Sequence, residues 1–525
     1  MPNDEAPVTM ADLSKTGDAT GRRALFWWAL ALLPGIALVG HHWQWPPPPG
    51  AGDYAQYLLH AKALVQGSPY ADIGYLYHPA AFEVGPPMYP PGLPLTLVPL
   101  VALFGVHSPA FQALMVASLV AFAWVAYRRL AIYAGPWASA IGGGFAVLAI
   151  EANRGTAVPM SDVGFAALFW ATILAVDTAR TWTWGRVALV TALGFSAIAY
   201  RLVGVVVVPA LALYAILTWR RHSGRALVPA VVWSVAGVGL LVGPLAGTRG
   251  GVSLSADVSR ILRRLPFSAQ AYKYGLMDAV LYPFAWDRWN DVYHVVALAV
   301  AAAGTVMVLW TARRTLLTIA FMAYVALLLV VSVFDARYLW PFYPLFGAAV
   351  PVALHGGLTR LTSISPRLSR RVVASACAVV MLTALGTELR RPPPRPVVTT
   401  PDAVALFAWV RAAHEHAPMR AVSNNPRVLT LETGVPAMAN VARTEPGHLA
   451  AYVERRITHL IVQRDDSECL QRIAARVPDL FPGRFVLEFE NPTYRVYRIL
   501  PGGAPREREY ERLGGSKRER YCSLP

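Results

Sequence analysis

Apolar residues along this chain gather into long blocks separated by short, arginine-containing polar segments, and they do not alternate with the two-residue period of a half-buried strand. Each block is long enough, or nearly so, to cross a ~30 Å hydrocarbon layer as an α-helix. Centres near Leu32, Val120, Phe145, Phe169, Leu193, Pro209, Val235, Ala302, Val325, Phe346 and Val379 predict about eleven crossings. Arg22 and Arg23 precede the first block, so the positive-inside rule places the N-terminus in the cytoplasm. The stretch Leu93 to Phe104 is short and carries Pro94 and Pro99, which predicts a re-entrant or interfacial segment. With that reading Arg128/Arg129, Arg220/Arg221/Arg225, Arg313/Arg314 and Arg367/Arg370/Arg371 all fall inside; a crossing there would put them all outside. Arg201 interrupts the apolar run from Val187 to Thr218. Two helices meeting there leave its charge at the outer surface, whereas one long helix would bury it at a cost of about 2.5–3.5 kcal/mol.

The predicted fold class is therefore a polytopic α-helical membrane protein of about eleven transmembrane helices with a small C-terminal soluble α/β domain. Residues 1–23 read as a disordered cytoplasmic N-terminus, and 24–390 as the membrane core with outer loops 41–90, 151–162 and 248–291. A Pro-rich linker occupies 391–400. The α/β domain covers 401–500, begins on a helix capped by Thr400 with Pro401 in its first turn, and lies outside by parity. The tail 501–525, alternating Arg and Glu around glycines, reads as disordered.

Composition agrees with this pattern, with 55% hydrophobic and 15% charged residues among 525. The net charge of +16 would suit nucleic acid, but the arginines lie between apolar blocks, where they act as orientation signals. Nucleic-acid binding is excluded on that ground. Three widely spaced cysteines, Cys377, Cys469 and Cys522, show no metal-ligand spacing and leave the redox compartment open. Loop 248–291 carries a slight basic excess, which is either a plain exception to the charge rule or a surface for anionic headgroups or a lipid phosphate.

Three polar groups remain as candidates for chemistry. The first outer loop holds Gly52-Asp53-Tyr54, then Tyr57, Lys62, Gly67, Tyr75, Tyr77, His78 and Glu83, and ends in Tyr89-Pro90-Pro91-Gly92. Aromatics with acids close to a bilayer can grip a sugar and hold a base, or can simply form a solvated loop with interfacial tyrosines. Ser161-Asp162 opens the fourth crossing; a lone aspartate there also suits a helix N-terminus. Phe334 to Pro344, with Asp335, Arg337 and Tyr338, can clamp a phosphate or anchor a helix at the interface.

Asp53-Tyr54 with Gly67, Tyr89-Pro90-Pro91-Gly92 before an apolar run, Ser161-Asp162, and Arg337-Tyr338 before Pro341 and Pro344 together resemble the GT-C superfamily of membrane glycosyltransferases. The resemblance is to the bacterial members related to protein O-mannosyltransferases and lipid A aminoarabinose transferases, and it spans roughly Leu25 to Leu354. It implies transfer of a sugar from a polyprenyl-phosphate donor to a glycan, lipid or protein acceptor on the non-cytoplasmic face, with inversion. On this resemblance Asp53 is the base, Asp162 the supporting carboxylate, and Arg201, Arg337 and, more loosely, Lys62 meet the donor phosphate. Tyr54, His78, Glu83, Tyr89 and Tyr338 belong to the substrate loops. A divalent metal is an open possibility, because the run from Tyr77-His78 to Glu83 follows no strict family pattern. The chemistry is coherent, since an inverting transfer needs a base for the acceptor and cations for the departing phosphate but no general acid.

The alternatives are a secondary transporter and a non-catalytic membrane scaffold. Transporters place ionisable residues at mid-bilayer between paired repeats, whereas the candidates here gather at helix mouths and no repeat is visible. An anchor would not need so many crossings. The expected location is the plasma or inner membrane.

Overall fold

The computed structural model describes residues 17–43, 52–81, 85–106, 108–179, 181–219, 227–246, 290–330, 335–393, 398–441, 445–464 and 469–502, together with Arg225. Glu83, most of loop 248–291, residues 394–397 of the linker and the tail beyond residue 502 lie outside the described residues.

All eleven expected centres fall within helices: α1 (Gly17–His42), α4 (Ser108–Leu130), α5 (Pro136–Ala152), α6 (Ser161–Asp177), α7 (Trp184–Tyr200), α8 (Val207–Leu217), α9 (Val228–Ala246), α10 (Asn290–Thr311), α11 (Leu316–Val330), α12 (Tyr343–Leu361) and α13 (Pro366–Leu389). Two more helices precede α4 in the chain, α2 (Gly52–Val65) and α3 (Gly92–Phe104). By length and composition alone, three helical segments among the described residues are long and apolar enough to cross a membrane: Leu25–His42, Ser108–Leu130 and Pro366–Leu389. Shorter apolar helical segments include Gly92–Phe104, Pro136–Ala152, Trp184–Tyr200 and Leu316–Leu329. α1 starts at Gly17, several residues before the expected start of the core.

The segment Leu93 to Phe104 forms α3, whose 13 residues reach about 20 Å, short of a full crossing. The run around Arg201 breaks as its charge demands. α7 ends at Tyr200, Arg201 is extended, and a 3-10 turn (Leu202–Val206) leads into α8. Small residues let the helices approach closely. A Cβ on Gly142 of α5 would run into the Pro344 carbonyl and Ala348 of α12, and one on Gly144 would meet the Ala31 carbonyl of α1. At the end of α6 away from its first turn, buried Arg129 and Asp177 pair at 2.7 Å, and Asp177 also accepts the backbone N–H of Leu316 at the start of α11. That pair joins α4, α6 and α11.

The C-terminal unit contains α14 (Pro401–His416), α15 (Pro426–Thr433), α16 (Glu445–Glu454), α17 (Cys469–Leu480) and a five-stranded sheet. Its strands are β1 (Ala421–Ser423), β2 (Ala437–Ala439), β3 (His459–Gln463), β4 (Phe485–Glu490) and β5 (Tyr494–Ile499), ordered β2-β1-β3-β5-β4. β2, β1 and β3 run parallel, while β5 is antiparallel to both β3 and β4. Two apolar clusters hold the unit together, one around Met438, Tyr452 and Leu460 and the other around Leu406, Val410 and Ile461.

The membrane core meets this unit through the loop after α2. Leu76 donates its backbone N–H to Ala437 at 2.8 Å, Ala437 donates to Gly74 at 3.0 Å, and Ala81 bridges Val441. Edge strand β2 is thus covered by the loop after α2, which removes a row of unpaired backbone groups. Gly74 adopts φ +77° there, and a Cβ would stand 2.7 Å from Thr430, so the loop needs glycine at this point.

Candidate active site

Two helix N-termini and two irregular segments bring the charged candidates together. Asp53 lies in the first turn of α2 and Asp162 in the first turn of α6, where the helix dipole favours a carboxylate. Arg201 occupies the extended break after α7, and Arg337 sits in the 3-10 turn Ala336–Phe342 that leads into α12.

Asp162 is almost fully buried and its Oδ1 accepts a hydrogen bond from Arg201 Nη1. The Arg201 guanidinium also lies 4.4 Å from the centroid of the Tyr338 ring. Arg337 stands between the two candidate carboxylates, with Nη1 4.0 Å from Asp162 Oδ2 and Nη2 3.7 Å from Asp53 Oδ2. Asp335 aims it: Arg337 Nε and Nη2 approach Asp335 Oδ2 at 2.7 and 2.6 Å, and the backbone N–H of Arg337 donates to Oδ1 at 2.9 Å. Burial acts to raise the Asp335 carboxyl, but the hydrogen bonds and charge of Arg337 outweigh it and hold the group below the usual carboxylate range.

The other Asp53 oxygen has different company. Oδ1 accepts from Tyr89 Oη at 2.5 Å and from Arg427 Nη1 at 3.1 Å, and Arg427 Nη1 also donates to Tyr89 Oη at 2.9 Å. Burial pushes the Tyr89 phenol well above its ordinary range, so it remains a donor. Tyr57, one helical turn after Asp53, exchanges a hydrogen bond with Ser161 at 2.8 Å and packs edge-on against Tyr89, with ring centres 5.3 Å apart. This stitches α2 to the start of α6.

Six side chains therefore form one network of three carboxylates (Asp53, Asp162, Asp335) and three guanidinium groups (Arg201, Arg337, Arg427). Asp53 is the more open of the two candidate acids, its side chain 38% exposed against 1% for Asp162. A half-exposed carboxylate beside guanidinium groups can take a proton from a hydroxyl while the cations face an anionic group.

The sequence candidates divide between this network and other surroundings. Asp53, Tyr89, Asp162, Arg201, Arg337 and Tyr338 come together. Lys62 is nine residues along α2 from Asp53, about 13 Å by helical rise, and joins none of these ion pairs. Tyr54 is buried on α2, which packs against α15; burial and the charge of Glu432 raise its phenol to about 12. His78 is buried and faces the α/β unit, with Nε2 3.4 Å from Glu454 Oε2. Glu83 lies outside the described residues.

Arg427 went unpredicted because it is 374 residues from Asp53 and belongs to another domain. For Tyr57 a local signal exists, since a residue at i+4 shares the helix face of Asp53. Among the described residues no group of three or more His, Cys, Asp or Glu could hold a metal ion. The clustered carboxylates are instead engaged by arginines, a poor donor set for a divalent cation.

No protein-family model and no curated protein matches the chain. Solved structures do. A crystal structure of ArnT from Cupriavidus metallidurans bound to undecaprenyl phosphate superposes with a TM-score of 0.51 at 15% identity, covering 93% of this chain and 100% of that one. The Archaeoglobus fulgidus oligosaccharyltransferase in complex with Zn and sulfate gives 0.55 at 12% identity, covering 83% and 68%. The archaeal oligosaccharyltransferase AglB from the same organism, in complex with an inhibitory peptide and a dolichol-phosphate, gives 0.54 at 11% identity, covering 89% and 73%. This chain has the GT-C membrane fold that these structures share.

Proposed function

We propose that this protein is an integral membrane glycosyltransferase that moves a sugar from a polyprenyl-phosphate donor to an acceptor hydroxyl at the non-cytoplasmic membrane face, with inversion. The observation that carries this reading is the position of Arg337, between the half-exposed Asp53 and the buried Asp162 at the mouths of apolar helices. The reading is supported by structurally similar proteins that hold undecaprenyl phosphate and a dolichol-phosphate.

In the proposed reaction Asp53 accepts the proton of the acceptor hydroxyl as its oxygen attacks the anomeric carbon. The bond from that carbon to the phosphate oxygen breaks, and its electron pair leaves with the lipid phosphate. A phosphate is stable as an anion, so the step calls for cations and no general acid. Arg337 and Arg201 supply them, with Asp162 pairing Arg201 and Asp335 aiming Arg337. No step is routed through a metal. Charge parity gives the orientation: N-terminus in the cytoplasm, site and α/β domain outside, and the chain in the plasma or inner membrane.

The test is incubation of membranes containing the protein with a panel of sugar-labelled polyprenyl phosphates, followed by determination of the product's anomeric configuration. Transfer with inverted configuration supports the reading; transfer with retained configuration contradicts a single displacement assisted by Asp53.

A further inference from the structure

The base proposed above has two inequivalent oxygens, and the α/β domain is responsible for the difference. We propose that Arg427 is a positioning residue for Asp53: together with Tyr89 it holds Oδ1, so that Oδ2 is the oxygen presented to the acceptor. This inference rests on the reading of Asp53 as the base.

Arg427 occupies the first turn of α15, and its side chain is only 5% exposed. A buried guanidinium is costly unless its charge is met, and here Asp53 meets it. The group lies 5.1 Å from the Tyr75 ring and 5.2 Å from the Tyr89 ring, so two aromatic faces help fix its position. Arg427 Nη1, Tyr89 Oη and Asp53 Oδ1 close a triangle of hydrogen bonds at 3.1, 2.9 and 2.5 Å. Oδ1 therefore carries two donors. Oδ2 has Arg337 Nη2 at 3.7 Å, beyond ordinary hydrogen-bond length, which leaves it able to accept from a hydroxyl.

The location of Arg427 is fixed relative to Asp53 by the docking of the domain. α15 packs on α2, and the loop from Gly74 to Ala81 adds to the free edge of β2. The site is incomplete without a residue of the C-terminal unit that lies 374 positions after Asp53. The opposite arrangement, in which Arg427 masks the base until the domain lifts away, makes opposite predictions.

The experiment compares full-length wild-type protein with Arg427→Ala, Arg427→Lys, Tyr89→Phe and Tyr89→Phe/Arg427→Ala in membranes. Each is also made with Ala81→Cys/Val441→Cys, a disulfide across the bridged pair that reports and secures docking. Arg427→Ala is expected to lower kcat on the order of 100-fold, the size of effect a small misplacement of a reacting group produces, with the donor KM within about threefold. Arg427→Lys and added guanidinium each restore part of the loss. The double variant costs little more than either single one, because the two residues act on one oxygen. The disulfide forms to the same extent with and without Arg427, and the tethered wild type turns over normally. Wild-type kcat in Arg427→Ala would overturn the inference, as would a rise in kcat or inactivity of the tethered wild type. A loss fully restored by closing the disulfide would assign Arg427 to docking alone and overturn it too. Failure of the wild type to transfer from any donor would sink the functional reading and this inference with it.

Discussion

His60 shows how tightly α2 and the loop after it are built around single residues. Its Nδ1–H donates to the Tyr70 carbonyl at 2.7 Å, so in the neutral tautomer Nε2 accepts from Gln56 Nε2 at 3.1 Å. The ring stacks on Tyr70, with centres 4.1 Å apart. Burial lowers its pKa from 6.5 to about 4. The unfolded chain therefore binds this proton at a higher pH than the folded one. Stability is unaffected above about pH 6.5, falls as the pH drops below it, and reaches its full loss once the folded pKa near 4 is passed. The shift corresponds to on the order of 3 kcal/mol. Thermal melting of purified protein between pH 7 and pH 4.5 should show a falling midpoint in the wild type and a shallower fall in His60→Asn; parallel curves would contradict this. Asp162 is predicted to act through others. Asp162→Asn keeps the shape but removes the charge that pairs Arg201, so turnover should drop about 100-fold while Asp53→Asn loses essentially all of it. Radiolabel assays on the two variants at equal abundance check the order.

At the scale of elements, most of the helical pattern was readable because lipid imposes it. A chain cannot leave backbone groups unpaired in hydrocarbon, so long apolar blocks become helices and charges collect at their ends. The break at Arg201 is legible in the sequence, since a continuous helix would bury its charge. Helix packing was not readable in the same way. Nothing local distinguishes Gly142, whose missing side chain admits the Pro344 carbonyl, from Gly386 of α13, which has open space around it. Gly142→Val should destabilise the protein by about 1–3 kcal/mol through overpacking. Gly386→Ala should be neutral or stabilising by up to about 1 kcal/mol, through reduced freedom of the unfolded chain. Melting midpoints of the two variants in one detergent test the contrast.

Across the whole molecule the site is a joint product of core and domain. Asp53, Asp162 and Arg337 could be nominated from short motifs, since each sits beside prolines, glycines or aromatics at a helix mouth. Their convergence on one guanidinium is a tertiary fact, and so is the arrival of Arg427 from α15. His78 and Tyr54 share the substrate-loop segment with Asp53 in the sequence. In the fold both stand near the α/β domain, His78 beside Glu454 and Tyr54 within the field of Glu432. The most direct test of this account is transfer of radiolabelled sugar from polyprenyl-phosphate donors by membranes containing wild-type protein or Asp53→Asn at matched abundance. The account predicts label in the acceptor fraction with the wild type and essentially none with the variant; equal label in both would contradict it.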